Sequence, residues 1–137
     1  MEIVEFTVLG EPVAKARPRV VRGHAYTPEK TRVQEERIAA ACRAAHPSKW
    51  FGKEVPIRMS LEFHVTIPKA YSKKKHALAV SGVLRPTART GDIENLAKLV
   101  MDALNCVCYY DDSQVVELES VKKYSDEPRT VIRVMPL

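Results

Sequence analysis

Long apolar runs are missing from this 137-residue chain. Nothing in it approaches the ~18 consecutive apolar residues of a membrane-spanning helix. The first residues, Met1-Glu2-Ile3-Val4-Glu5, are acidic and alternating, without the basic start and continuous apolar stretch of a secretory signal. The expectation is a soluble, cytoplasmic protein with no membrane partner. Cysteine is scarce as well. Cys42, Cys106 and Cys108 are an odd number with no C-x-x-C spacing, which argues against both a disulfide framework and a zinc ribbon. A mixed zinc site drawn from Cys106, Cys108 and one of His24, His46, His64 or His76 would lack finger-like ligand spacing. Reduced, partly buried thiols are the expected state.

What is present suffices for one core: 45% of residues are hydrophobic and 28% charged, and the length suits one domain, here 1–137. The net charge of +5 conceals an asymmetry. Residues 1–91 carry 17 Lys and Arg against 8 Asp and Glu, whereas residues 92–137 carry 5 against 9. Two basic stretches contain no acid at all. One holds Lys15, Arg17, Arg19 and Arg22; the other runs from Lys69 through Lys73, Lys74, Lys75 and Arg85 to Arg89. Either alone reads as a solvated loop. Carboxylates that follow directly on the second favour a phosphate-binding surface beside a concentrated anionic spot, which is what metal-dependent phosphodiester chemistry requires.

Alternation of Val4, Phe6 and Val8 with Glu5 and Thr7 predicts a strand over 2–9, ended by Gly10 and Pro12. A Pro-punctuated basic segment, 13–26, fits a short hairpin around Gly23. Thr27-Pro28-Glu29 supplies an N-cap, a proline at the first helical position and an acid in the first turn, so a helix is predicted to His46, stopped by Pro47. Ile57, Met59, Leu61, Phe63, Val65 and Ile67 share one face of a strand over 57–67, with Arg58, Ser60, Glu62, His64 and Thr66 on the other. His64 reads as structural or solvent-facing, and Trp50 and Phe51 as packing anchors. No period is sustained from Pro68 to Gly91, where 72–77 fits one helical turn or two and a long loop is the expectation. Ile93, Leu96, Ala97, Val100, Ala103 and Leu104 mark an amphipathic helix. Strands over 114–123 and 130–135 complete an α+β fold: a mixed sheet with two main helices on one face.

The segment from Asp92 to Leu104, followed by Asp111-Asp112-Ser113-Gln114, carries the chemistry. Each acid has an ordinary explanation. Asp92 suits an N-cap and Glu94 the first turn; Glu94 and Lys98 are an i,i+4 pair, Lys98 and Asp102 a weaker reversed one; Asp111-Asp112 suits a turn. The alternative is convergence of Asp92, Glu94 and Asp112 on one point, where their repulsion calls for a cation. Magnesium fits best, because it takes hard oxygen ligands and shares its positions with phosphates. Lys98, one turn beyond Glu94, is then placed to neutralise charge on the reacting phosphate or to orient the attacking water. Tyr109 and Tyr110 read as structural, with one of them within reach of a substrate sugar.

These residues resemble the RusA-type Holliday junction resolvases of bacteria and their phages. The family pattern, roughly D-x-D-N-L-x-K-x-x-x-D-A-L and then D-D-x-Q-V, is matched by Asp92, Asn95, Leu96, Lys98, Asp102, Ala103, Leu104, Asp111, Asp112, Gln114 and Val115. Gly10-Glu11-Pro12, Ala16-Arg17-Pro18-Arg19 and Tyr26-Thr27-Pro28 also resemble its longer members. The resemblance implies a homodimeric, magnesium-dependent endonuclease, with Mn2+ as a substitute and no small-molecule cofactor, that resolves four-way DNA junctions by paired nicks in recombination and repair. Catalytic acids would fall on Asp92, Glu94 and Asp112 and the essential lysine on Lys98, with Asp111 a neighbouring metal-site acid. There are two departures: Glu94 stands where the family usually has Asp, and Gly91 where a proline usually precedes the first Asp. Paired cutting needs two sites about a two-fold axis, as a symmetric dimer provides. The basic residues Lys15, Arg17, Arg19, Lys69, Lys73, Lys74, Lys75, Arg85 and Arg89 are the expected DNA contacts. With Tyr71 the one aromatic in the second stretch, base stacking is a minor theme.

Competing readings are a nuclease acting on other branched DNA, a restriction-type nuclease, and a non-catalytic DNA-binding or phage regulatory protein. Restriction-type sites use D…E-x-K on a strand, whereas the four-residue step from Glu94 to Lys98 suits helical stacking. In the regulatory reading the basic loops bind and the acids merely cap and pair.

Overall fold

The computed structural model describes residues 3–16, 19–26, 28–47, 51–87 and 91–137. Its elements are β1 (Val4–Leu9), β2 (Arg19–Val21), β3 (His24–Tyr26), α1 (Glu29–Ala45), β4 (Ile57–Thr66), α2 (Lys73–Val80), α3 (Ile93–Ala103), β5 (Val115–Ser125) and β6 (Arg129–Pro136). Strands β1, β6, β4 and β5 lie in that order in one sheet, while β2 and β3 form a separate hairpin. β6 pairs antiparallel with both β1 and β4, and β4 pairs parallel with β5. The mixed α+β fold expected from the pattern is present. A third helix, α2, stands where one or two helical turns are expected over 72–77 and runs on to Val80 within the stretch otherwise read as loop. Pro28 stands at the cap position of α1, extended at ψ 143°, rather than inside the helix. Thr27 and Trp50 lie outside the described residues.

Period-two alternation decides the core. Ile57, Met59, Leu61, Phe63 and Val65 of β4 are buried on one face, joined by Val4, Phe6 and Val8 of β1 and by Ile132 and Val134 of β6. Helices cover that face. α3 contributes Leu96, Ala97, Leu99, Val100 and Ala103, and α1 contributes Ile38, Ala39 and Cys42; small alanines let the helices approach the sheet closely. Cys42 and Cys108 are free thiols in this core, and Cys106 is exposed. Among the described residues no helix is long and apolar enough to cross a membrane.

The register of β5 carries one irregularity. Ile57 faces Val115, but Arg58 faces Glu117, so Val116 is an extra residue in the strand. Such bulges re-aim the side chains beyond them. After this one, Leu118, Ser120, Lys122 and Tyr124 pair with Met59, Leu61, Phe63 and Val65, which puts them on the helix-covered face of the sheet.

His64, on the opposite face, is buried rather than solvent-facing. It pairs across the strands with Lys123 and Arg129, and its Nε2 lies 3.3 Å from Glu62 Oε1. Burial, reinforced by Arg129 and Lys123 and opposed by Glu62, holds its pKa below the ordinary 6.5. The unfolded chain therefore binds this proton more readily than the folded one, so the contribution of His64 to stability is lost as pH falls through and below 6.5. In urea melts between pH 7.5 and 5, the wild type is expected to lose stability on acidification more steeply than His64→Gln.

Candidate active site

Helix α3 begins at a backbone turn that requires glycine. Gly91 has φ +81°, and a Cβ there would stand 3.0 Å from that of Ala14. Proline, locked near φ about −65°, cannot adopt this geometry. Lys122 Nζ donates to Gly91 O at 3.0 Å, tying the turn to β5.

Asp92 occupies the N-cap of α3, yet its side chain makes no capping hydrogen bond; Asn95 Nδ2 lies 3.5 Å from its Oδ2. Glu94 and Lys98 form no ion pair, and the Lys98 ammonium is 3.9 Å from Asp102. Glu94 does stand in the first turn of α3, as its ordinary explanation has it, but the side-chain cap expected of Asp92 and the Glu94–Lys98 pair are not formed. Glu94, Ala97, Lys98 and Met101 from α3 meet Asp112 and Leu118 around a cleft of ≈ 230 Å³. Leu118 is 48% exposed. α3 leaves this part of β5 uncovered, and the cleft lies there.

Asp112 opens a single 3-10 turn, Asp112–Gln114, immediately before β5. Asp111 is the cap of that turn: its carboxylate accepts from Ser113 N at 3.0 Å, and hydrogen bonding to the Ser113 side chain first and to its backbone second holds its pKa below the usual carboxylate value. Asp111 lines a different cavity, with Lys53, Val55 and Gln114. Gln114 anchors the arrangement. Its Oε1 accepts from Tyr110 N at 2.9 Å and Asp111 N at 3.1 Å. Its Nε2 donates to Gly52 O at 2.9 Å and Val55 O at 3.1 Å. Tyr109 is buried and donates to Met101 O at 2.6 Å, a structural role at the last turn of α3. Tyr110 is exposed, with Lys53 Nζ 5.3 Å from its ring centroid.

In sequence Asp102 reads only as a weak reversed i,i+4 partner of Lys98. In the structure its carboxylate lies within hydrogen-bonding reach of Asp112 and 3.2 Å from Lys15 Nζ, which also sits 3.0 Å from Glu35. Burial works against the Lys15 charge, but Glu35 and Asp102 outweigh it and hold its pKa above 10.5. Lys15 therefore ties α1 to α3. The Asp112 carboxyl is held above its ordinary value by burial first, then by Asp111 and Asp102, with Lys98 opposing.

The two acids of this cleft, Glu94 and Asp112, offer oxygen ligands, and no thiol or imidazole lines it, which suits a hard cation. The raised Asp112 pKa records burial first and repulsion from Asp111 and Asp102 second, and such a cation would offset both. Among the described residues no three His, Cys, Asp or Glu side chains are close enough together to hold a metal ion. Glu94, Lys98 and Asp112 share the cleft, while Asp92 stands at the helix start beside it.

The remaining basic residues divide. Lys69 and Lys73 line one cavity with Tyr71 and His76. Lys75 Nζ lies 4.2 Å from the Tyr71 ring centroid, and Lys74 is exposed. Arg85 donates to Gly82 O at 3.1 Å and Lys122 O at 3.3 Å. Arg17, Arg89 and the side chain of Arg19 lie outside the described residues.

Compared with known proteins, the chain matches the family described as Endodeoxyribonuclease RusA over residues 10–135. It belongs to the RusA endodeoxyribonuclease family. This RusA-family chain is also 39% identical over 140 residues to "Uncharacterized protein YqaN" of Bacillus subtilis (strain 168), spanning 98% of this chain and 96% of that protein. Membership makes the protein a nuclease acting on DNA, and the matched region takes in α3, the Asp111-Asp112 turn and β5 together.

Two outcomes are expected from these contacts. Gln114→Ala leaves the Gly52 and Val55 carbonyls without their partner, at a cost on the order of 3 kcal/mol, measurable as a lower urea midpoint with unchanged slope. Asp112→Asn in metal-free buffer is expected to melt at or above the wild-type temperature, because it relieves like-charge repulsion; a turn-forming role predicts a loss of about 1 kcal/mol instead.

Proposed function

We propose that this RusA-family nuclease is a magnesium-dependent Holliday junction resolvase that works as a homodimer and nicks opposed strands of a four-way junction, with residues 1–137 as one endonuclease domain. The observation that carries this reading is the shared cleft of Glu94, Lys98 and Asp112, in which neither acid makes a side-chain cap and Glu94 forms no ion pair with Lys98. Glu94 and Asp112 would hold the cation from the cleft they share, and Asp92 would have to close on it from the helix start, since the three do not converge in this structure. Asp111 supports them through the turn it caps. A bound divalent ion polarises the scissile phosphate and acidifies water, and Mn2+ shares the coordination chemistry needed to replace it.

The chain's own groups do the rest. Lys98 Nζ stands on the cleft wall, where an ammonium stabilises charge gathering on the phosphoryl oxygens. Asp102, beside both Lys98 and Asp112, limits how far either side chain swings, and Lys15 fixes Asp102 from behind. Ala97, Met101 and Leu118 form an apolar wall that excludes bulk water on one side and strengthens these charges. Glu94 keeps the charge of the usual aspartate with one more methylene of reach. Lys69, Lys73 and Lys74 supply phosphate contacts that position DNA without reading sequence.

The test compares a synthetic four-way junction with a linear duplex of the same arms, in magnesium and in EDTA. Paired nicks are expected on the junction only, with magnesium only. Lys98→Ala is expected to slow cutting by about 10²–10³-fold, and Asp112→Asn to abolish it while junction binding persists. A protein that binds junctions and cuts none in any divalent ion, even with Asp at 94, would return the chain to a binding role.

A further inference from the structure

A second cavity lies at the opposite end of β5 from the cleft. It encloses about 400 Å³ and is lined by Ile67, Pro68, Lys69, Tyr71, Lys73, His76 and Asp126, where the parallel strands β4 and β5 both end. Its polar groups are arranged in layers. His76 Nε2 lies 2.8 Å from Asp126 Oδ1, so the one carboxylate in the lining already has a partner. Tyr71 OH meets Tyr124 OH at 3.2 Å, and the two rings pack edge to face with centroids 6.0 Å apart. Lys75 stacks over Tyr71. These contacts fix the walls and leave Lys69 and Lys73 with no ion pair among the described residues. Lys73 is also the first residue of α2, whose N-cap Ser72 accepts from Lys75 N at 3.2 Å, so the positive end of that helix faces the same cationic region.

We infer that this cavity binds a backbone phosphate of a DNA arm, well away from the bond being cut. The inference rests on the nuclease reading for the identity of the polymer and adds where along it the second contact falls. The ruler is β5. Leu118 lines the cleft, Tyr124 braces the second cavity and Asp126 lines it. Six to eight residues of extended chain span about 20–26 Å. At about 3.4 Å of rise per base pair, an arm lying along β5 brings to Lys69 and Lys73 a phosphate about six to eight base pairs from the cleft, on whichever strand faces the sheet there. A phosphodiester suits the site better than a stacked base, since Lys75 and Tyr124 already occupy the Tyr71 ring.

The experiment scans single neutral methylphosphonates along both strands of one arm of a synthetic junction and measures the binding of full-length protein in EDTA by gel shift, with positions counted in base pairs from the crossover. Three proteins are compared: wild type, Lys69→Ala/Lys73→Ala and Lys98→Ala. Wild type should be weakened by neutralisation at one or two positions. The double variant should bind more weakly, with its log Kd against log salt slope lowered by about 1, and should be indifferent to one of those positions. That position should fall about six to eight base pairs from the one to which Lys98→Ala has become indifferent. A double variant that keeps the wild-type pattern of sensitivity, or loses it next to the Lys98 position, overturns the inference. Because the readout is binding, a protein that shows the distal dependence yet cuts no junction would overturn the resolvase reading and leave this site standing. Failure of the wild type to bind DNA would overturn both.

Discussion

Four hydrogen bonds from one buried side chain hold the site together. Gln114 accepts from the Tyr110 and Asp111 amides and donates to the Gly52 and Val55 carbonyls, joining the turn before β5 to the loop before β4. Those two strands run parallel, so their starting ends lie side by side with no hairpin to set their spacing. The amide of Gln114 sets it instead. A buried amide is costly unless fully satisfied, and here full satisfaction fixes where Asp112 emerges opposite α3.

From that anchor the charges follow an order. Lys15 is gripped by Glu35 and Asp102, Asp102 lies against Asp112, and Lys98 stands at the outer edge. Burial, with Asp111 and Asp102 adding to it, raises the pKa of Asp112, while hydrogen bonds from Ser113 lower that of Asp111. Two adjacent aspartates thus have opposite environments. Asp111 does the structural work, which leaves its neighbour's charge unmet at the cleft.

Much of this was legible in the sequence. The six-residue alternation in β4 and the apolar stripe of α3 identified those elements because their periods are set by backbone geometry alone. The D-x-E-N-L-x-K pattern pointed to Asp92, Glu94, Lys98 and Asp112, and the structure brings the last three to one cleft. Less visible were α2, whose mixed composition carries no clear stripe, and the role of Asp102, which as part of a polar row looked like an ordinary partner for Lys98. Lys15 was read as a phosphate contact because a basic stretch without acids looks unpaired; its acids come from α1 and α3, 20 residues away and more.

The sequence by itself determined which residues are buried, where helices and strands run, and which acids and lysine are candidates for chemistry, since local periodicity and residue type report these directly. Tertiary structure alone decided that β4 and β5 are parallel, that Val116 bulges so Leu118 faces α3, and that Asp112 rather than Asp111 turns toward Lys98. Those choices depend on hydrogen bonds and packing between segments about 60 residues apart, such as Gln114 to Gly52 and Val55, whose energy appears only once the chain has closed on itself.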